Sequence, residues 1–344
     1  MARRDLIVVG ASAGGVEALR DLLRVLPADL PATVLVVLHM PADAHSALPS
    51  ILDRSSALPV RQAVDGDLLE PGTVLVAVPD RHLMVLDGRV ALSRGPRENG
   101  HRPAVDVLFR SAARARGPRT IGIVLTGALD DGTAGTIAVR SRGGVVLAQD
   151  PDEALYPSMP RHAVEEGGAD RVVPVAQMGA VLTRLLAEDV DPAGAAPATG
   201  LMKVETAMAE FDADVMNDDD RPGTPAGFGC PSCHGSLFTI DEGGLERYRC
   251  RVGHAWSPEA LLQEQSQALE GALWMALRSL EERASLSRRM GERAEQRGHG
   301  LTADTFRARH EESHHAALLI RRLLQDGAVG GHGTADQEGR GLPR

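Results

Sequence analysis

The sequence predicts an α/β fold, a doubly wound and mostly parallel sheet with a small antiparallel hairpin, followed by a compact cysteine-bearing unit and a helical hairpin. Three observations carry this reading. Short β-branched runs alternate with amphipathic stretches up to about residue 186, all three cysteines fall between 230 and 250, and helix formers dominate from 257 onward. The runs 6–9, 33–38, 73–78, 121–125 and 145–148 are bounded by turn residues, as buried parallel strands are. Helical spacing occupies 16–25, 103–116 and 132–142, and such alternation places helices on both faces of a sheet. Asp87-Gly88 between two apolar runs is a hairpin signal, so part of the sheet is antiparallel.

After residue 188 the pattern fades. Residues 189–228 read as a linker rich in Ala, Pro and Gly, with a short helix within 202–215. Residues 229–256 form a loop-rich unit, and 257–325 a helical extension with Ser257 as N-cap and Pro258 at the first helical position. Gly298 and Gly300 interrupt that extension and turn it into a hairpin. The Gly-rich tail 326–344 is expected to be disordered.

Composition narrows the function classes. The chain has 344 residues, 43% apolar and 24% charged, which suits a globular protein of more than one module. Its formal charge of −10 argues against a general nucleic-acid binder, whose affinity comes from neutralising phosphates. Three cysteines are too few for a disulfide scaffold and point to a reducing compartment. The apolar run at 6–9 is too short for a signal-peptide core, and no window approaches a membrane helix. The expectation is a soluble, cytoplasmic protein without membrane insertion. Aromatic residues are unevenly placed, for only Phe109 and Tyr156 precede residue 200, so two differently built regions follow.

Gly10-Ala11-Ser12-Ala13-Gly14-Gly15 lies between the first strand and a helix. There a Gly-x-Ser-x-Gly sequence holds a serine on a tight turn with backbone N–H groups nearby. The same glycines would suit a nucleotide-binding turn, but neither Gly-x-Gly-x-x-Gly nor Gly-Lys-Ser/Thr is present. His39 follows the second strand run and Asp131 lies just past 121–125. All three therefore reach the carboxyl edge of the sheet, where open α/β sheets bind ligands. A serine, a histidine and an aspartate at that edge make a candidate nucleophile, base and orienting carboxylate. Asp130 is the competing carboxylate.

The stretches Gly10-Ala11-Ser12-x-Gly14-Gly15, His39-Met40-Pro41, Val78-Pro79-Asp80-Arg81-His82-Leu83, His101-Arg102-Pro103-x-Val105-Asp106-Val107-Leu108-Phe109 and Leu125-Thr126-Gly127-x-x-x-Asp131-Gly132 carry a family resemblance. Over residues 4–186 the chain resembles the catalytic domain of the CheB family, protein-glutamate methylesterases of bacterial chemosensory pathways. The resemblance implies a doubly wound sheet, with Ser12 as nucleophile, His39 as general base and Asp131 orienting His39. It also implies hydrolysis of glutamate γ-methyl esters on cytoplasmic helices of chemoreceptors, with glutamine deamidation as a second activity and no cofactor for catalysis. Backbone N–H groups at Ala13 and Ala128 are the candidate oxyanion donors. The family usually has threonine after the serine and a Gly-Met-Gly-like turn before the aspartate, where this chain has Ala13 and Ala128-Leu129. Arg94, Arg97, His101 and Arg102 form a basic neighbourhood, expected to dock an acidic receptor surface. A methyltransferase or another chemosensory protein is a further expected partner.

Cys230-Pro-Ser-Cys233, sixteen residues, then Cys250-Arg-Val-Gly-His254 has the spacing of a structural zinc site. Cys230, Cys233, Cys250 and His254 are the expected ligands, with His234 as an alternative fourth. Zinc would organise a unit too poor in apolar residues to fold without it. A redox Cys-x-x-Cys reading leaves Cys250 unexplained. The chain starts with the catalytic strand, so no receiver domain is expected ahead of it. Control is then expected from the zinc unit and helices, which gate the site or bind a partner. His310-Glu311-Glu312-Ser313-His314 matches His-Glu-x-x-His, but its polar surroundings and missing third ligand read as a solvated helix face. The rival reading is an interaction protein without esterase activity that works through its zinc-helical part.

Overall fold

The computed structural model describes residues 2–43, 47–217 and 223–326. The expected disordered tail lies outside the described residues from 327 onward. The chain divides into two compact units, Met1–Ala260 and Leu261–Arg344.

The first unit begins β1 (Ala2–Arg3), β2 (Leu6–Ala11), α1 (Gly15–Val25) and β3 (Thr33–Leu38). Every residue of β2 and β3 is buried, because both sheet faces are covered. In α1, Ala18, Leu19, Leu22 and Leu23 turn inward, while Glu17, Asp21 and Arg24 face water. Next come α2 (Leu48–Asp53), β4 (Val60–Gln62), β5 (Val74–Val76) and a hairpin of β6 (His82–Leu86) and β7 (Arg89–Ser93). Both hairpin turn residues have positive φ, 48° at Asp87 and 77° at Gly88, which is why the sequence needs Asp-Gly there. The unit continues through α3 (Val105–Arg116), β8 (Thr120–Val124), α4 (Thr133–Ser141), β9 (Val145–Gln149), α5 (Ser158–Glu165), β10 (Arg171–Val173) and α6 (Val175–Ala187). β4 and β10 were not expected; at three residues each they are too short to show a period.

Seven parallel strands form the central sheet in the order β10-β9-β8-β2-β3-β5-β4. The order reverses between β2 and β8, so the loops after those strands leave in opposite directions and open a crevice at their carboxyl ends. Alternation within each strand divides the core in two. Ile7, Val9, Val34 and Val36 pack with α1 and α6, while Leu6, Val8, Leu35 and Val37 pack with α3 and α4.

The expected linker at 189–228 is largely structured. β11 (Asp189–Val190) pairs with β1, and α7 (Gly200–Glu210) lies on the α3 side of the sheet, followed by α8 (Ala213–Asn217). Met202 joins the core beneath α3 and Ala209 packs with Met84 and Val107. A Cβ on Gly95 would come within 2.2 Å of the Ala209 carbonyl oxygen, so Gly95 is what lets this segment close on the sheet. The small-residue composition that suggested a linker thus also serves close packing.

Next, β12 (Thr224–Gly229), β13 (Ser236–Glu242), β14 (Leu245–Cys250) and β15 (Ala255–Trp256) make an antiparallel four-stranded sheet. α9 (Pro258–Gln296) begins as expected, with Ser257 Oγ accepting the Ala260 N–H at 3.1 Å. In the second unit, Gly298 at φ 75° separates α9 from α10 (Gly300–Gln325). His310 Nδ1 lies 2.9 Å from the Ala284 carbonyl, and Arg321 pairs with Glu281. His310 is therefore engaged between helices, and no metal cluster among the described residues includes it. No helix of the described residues is long and apolar enough to cross a membrane.

Candidate active site

Ser12 leaves the end of β2 on a turn that only small residues allow. A Cβ on Gly10 would lie 2.2 Å from Val105 Cγ1, and Gly14 takes φ 72° to start α1. Across the crevice, a Cβ on Gly127 would meet Met159 Sδ at 2.0 Å and Ser12 Cβ at 2.9 Å. His39 follows β3, and its Nδ1 lies 3.1 Å from Ser12 Oγ. Its Nε2 lies 2.7 Å from Asp131 Oδ2, with both side chains buried. An ionised aspartate accepts the Nε2 proton, which leaves the Nδ1 lone pair facing the serine hydroxyl. The structure thus brings together the three residues expected from strand ends.

Asp131 sits at the amino end of α3. Its Oδ2 accepts the Val105 N–H at 2.7 Å, and its Oδ1 accepts from the Asp106 N–H at 3.2 Å and Asn99 Nδ2 at 3.3 Å. Burial works against its ionisation, but the hydrogen bond and charge of His39 and the Val105 N–H hold its carboxyl well below the usual range. The unsatisfied N–H groups of a helix start favour the same charge. Asp130, the competing carboxylate, points elsewhere and accepts Ser257 Oγ–H at 2.8 Å. Burial pushes its pKa up to about 7, aided by repulsion from Glu259 and opposed by the Ser257 bond.

His101, expected in a docking surface, stacks on His39 with ring centroids 3.6 Å apart and planes 14° from parallel. Burial, and then the His39 charge, lower its pKa to about 3, so it covers His39 as a neutral ring. Two of the expected docking arginines are engaged. Asp80 binds Arg102 Nε at 3.0 Å and also pairs with Arg94, while Arg102 Nη1 donates to the Gly95 carbonyl at 2.8 Å. Arg97, with Met40, Pro41, Gly100, His101 and Arg102, lines a cleft of about 340 Å³ beside His39. Ser12 N–H donates to the Thr126 carbonyl at 3.0 Å and Gly127 N–H to that of Tyr156 at 2.9 Å. Those of Ala13 and Ala128 are uncommitted among the described residues, as an oxyanion site requires.

The second cluster lies in the hairpin sheet. Cys230, Cys233, Cys250 and His254 bring all four donor atoms within 4.8 Å of one another. Cys233 and Cys250 sulfurs are 3.5 Å apart, and His254 Nδ1 is 3.7 Å and 3.6 Å from the Cys230 and Cys250 sulfurs. Ligands at tetrahedral zinc distances are roughly 3.5–3.8 Å apart, so the donor set fits that ion. Those spacings are far beyond a disulfide bond. His234, the residue after Cys233, is exposed and stays outside the cluster.

Sequence reasoning missed how this sheet meets the α/β core. Arg247 and Arg249 of β14 join Arg110 of α3 around Glu98, Glu205 and Glu242, three buried cations among three buried anions. Arg110 grips Glu98 with two bonds of 3.0 and 2.9 Å, and Arg247 and Arg249 each approach it at 3.0 Å. Burial opposes ionisation of Glu98, but the guanidinium groups of Arg110, Arg249 and Arg247 hold its carboxyl well below the usual range. Asn99 was also missed. Asn99-Gly100 reads as a tight turn, and both residues have positive φ, but no local signal reveals that the side chain reaches Asp131.

Residues 7–182 match the family model described as CheB methylesterase. The chain is 45% identical over 183 residues to protein-glutamate methylesterase/protein-glutamine glutaminase 1 of Anaeromyxobacter dehalogenans, covering 52% of each chain. It is 40% identical over 191 residues to protein-glutamate methylesterase/protein-glutamine glutaminase 2 of Methanosarcina mazei, covering 53% of this chain and 52% of that one. The chain thus spans about half the length of the curated relatives it matches. The crystal structure of the Thermotoga maritima CheB methylesterase catalytic domain is 36% identical, with a TM-score of 0.51, covering 54% of this chain and all of that one. By its sheet order and by a match across half its length, the chain belongs to the CheB methylesterase family.

Proposed function

We propose that this chain is a protein-glutamate methylesterase that hydrolyses glutamate γ-methyl esters on cytoplasmic helices of chemoreceptor-like proteins. The observation that carries the reading is the hydrogen-bonded line Ser12 Oγ, His39 Nδ1, His39 Nε2, Asp131 Oδ2 in the crevice of the family's sheet. Ser12 Oγ attacks the ester carbonyl as His39 Nδ1 takes its proton. The Ala13 and Ala128 N–H groups face the developing oxyanion. His39 returns the proton to the departing methoxide, and methanol leaves. A water, deprotonated by His39, then attacks the acyl-serine and frees the glutamate carboxylate, as His39 returns that proton to Ser12 Oγ. The same steps on glutamine would release ammonia, the second activity named in the relatives.

Each turnover restores a negative charge on closely packed receptor helices, which makes the reaction a signal. Arg97 is the cation of the expected docking group that lines the cleft with, among the described residues, a single weak side-chain hydrogen bond, to the Gly100 carbonyl at 3.4 Å. The location proposed is the cytoplasm. Zinc is the proposed ion of the Cys230, Cys233, Cys250 and His254 cluster, where its four bonds would cross-link two turns as a closed structural site.

Methanol release from a methylated chemoreceptor, compared between wild type and Ser12→Ala, tests the assignment. Release by wild type and none by the variant is expected; equal release sinks it.

A further inference from the structure

We propose that the Cys230–His254 cluster controls the triad through the loop 97–101, with Asn99 as the positioning residue that couples them. This rests on the esterase reading only where activity is the readout. The segment leaving the last cluster residue, His254, pairs directly with the loop. Ala255 N–H donates to the Arg97 carbonyl at 3.2 Å, and Asn99 N–H donates to the Ala255 carbonyl at 2.8 Å. Two residues further, the Ser257 N–H donates to Asn99 Oδ1 at 2.9 Å. With Oδ1 so engaged, the Asn99 amide has one orientation, and its Nδ2 reaches Asp131 Oδ1 at 3.3 Å and Asp106 Oδ2 at 3.2 Å.

The loop also carries His101, the ring stacked on His39, and Glu98, the buried centre of the charge cluster. Loop 97–101 therefore has the triad on one side and the hairpin sheet on the other. Asn99 takes φ 51° and is held there by Ala255, Ser257, Asp106 and Asp131, since an Asn in the left-handed region relies on its surroundings to stay there. The cluster sets the path of 254–257, because Cys250 N–H donates to the His254 carbonyl at 3.0 Å and the His254 ring lies against two cysteine sulfurs. A metal bound there fixes residue 254, residue 255 fixes the loop, and residue 257 aims the Asn99 amide at the carboxylate.

The groups facing Asp131 include His39, His82, His101, Asn99, Asp106 and Asp130, together with the Val105 and Asp106 N–H groups of α3. Removing the Asn99 donor leaves more negative charge on the Asp131 oxygens. The carboxylate then holds a positive charge beside it more strongly, and the acid limb of activity moves to higher pH.

The test uses full-length protein, zinc-loaded or stripped by chelator, and reads amide hydrogen exchange across 97–108 together with methanol release. Stripping is expected to raise exchange at 97–101 and 105–106 while the β2 and β3 amides stay protected, and to lower kcat by about tenfold or more with KM little changed. Zinc returned to the stripped protein is expected to restore both. Asn99→Gly, which keeps the left-handed backbone, is expected to hold full zinc content, lose kcat and shift the acid limb upward. Unchanged exchange at 97–106 on stripping overturns the coupling even if the protein proves to have no esterase activity. If stripping instead exposes the whole chain, Asn99→Gly decides, and a wild-type pH profile in that variant overturns the role of Asn99. Failure of the esterase reading is seen separately, as equal methanol release by Ser12→Ala.

Discussion

The triad and the Cys230–His254 cluster are built by opposite strategies. Ser12, His39 and Asp131 come from the ends of three parallel strands spread over more than a hundred residues, and they meet only because those strands lie side by side in a finished sheet. The four cluster residues sit within one short hairpin sheet, on two turns. Around the triad the support is apolar, with Ile7, Val8, Val36 and Ile123 buried beneath the strand ends. Around the hairpin sheet it is electrostatic, three arginines against three glutamates. An apolar core tolerates small losses by relaxing, whereas a buried ion cluster leaves a bare charge when one member is removed. The catalytic side is thus the more forgiving of structural change and the less forgiving of chemical change.

Substitutions separate these properties. Ser12→Ala removes the nucleophile with almost no change in packing, and methanol release is expected to fall by about 10³-fold or more with no loss of folding stability. Asp131→Asn keeps the shape but gives His39 Nε2 a donor, turning the Nδ1–H toward Ser12; a fall in kcat of about 10³- to 10⁴-fold is expected. If that variant also lowered the melting temperature sharply, the triad would be a stability element and the contrast would break. Glu98→Gln leaves three cations facing two anions. Denaturant unfolding is expected to show a loss of about 3–5 kcal/mol, a structural cost far above that of either triad variant. A neutral result would mean that the hairpin sheet is held by something other than these charges.

Asp130 gives the smallest effect. Its pKa of about 7 lies above the usual carboxylate value, so the folded chain holds a proton there that the unfolded chain has released between about pH 4 and 7. Stability is therefore expected to fall as pH rises through that window and to level off above it. Asp130→Asn keeps an acceptor for Ser257 and should remove this fall, so that variant and wild type diverge in melting temperature from pH 4 to 7. Parallel curves would show that Asp130 ionises freely.

Much of the site was legible in local pattern. Ser12 was marked by its glycines, and His39 by its place just past a β-branched run. The cysteines were marked by spacing alone. That Arg94 and Arg102 pair with Asp80 was not legible, because a charge run does not say which arginines will find a carboxylate distant in the chain. His101 looked cationic beside its arginines and is neutral because burial against His39 removes the water that would stabilise its charge. The stretch 189–228 looked like a linker because Ala and Gly favour both loose chain and close approach, and only the groove at Gly95 distinguishes them.

By itself the sequence determined five of the seven central strands, their connection into a wound sheet, the serine, histidine and aspartate at strand ends and the cluster on two turns, since each depends on spacing within a few residues or on the short menu of α/β topologies. The tertiary structure alone decided that Asn99 reaches Asp131, that Glu98 gathers Arg110, Arg247 and Arg249, and that the segment after His254 pairs with the loop beside the triad. Those contacts join surfaces from distant parts of the chain. Their partners are chosen by which buried charges and amides remain unpaired when the layers close, and no local period records that choice.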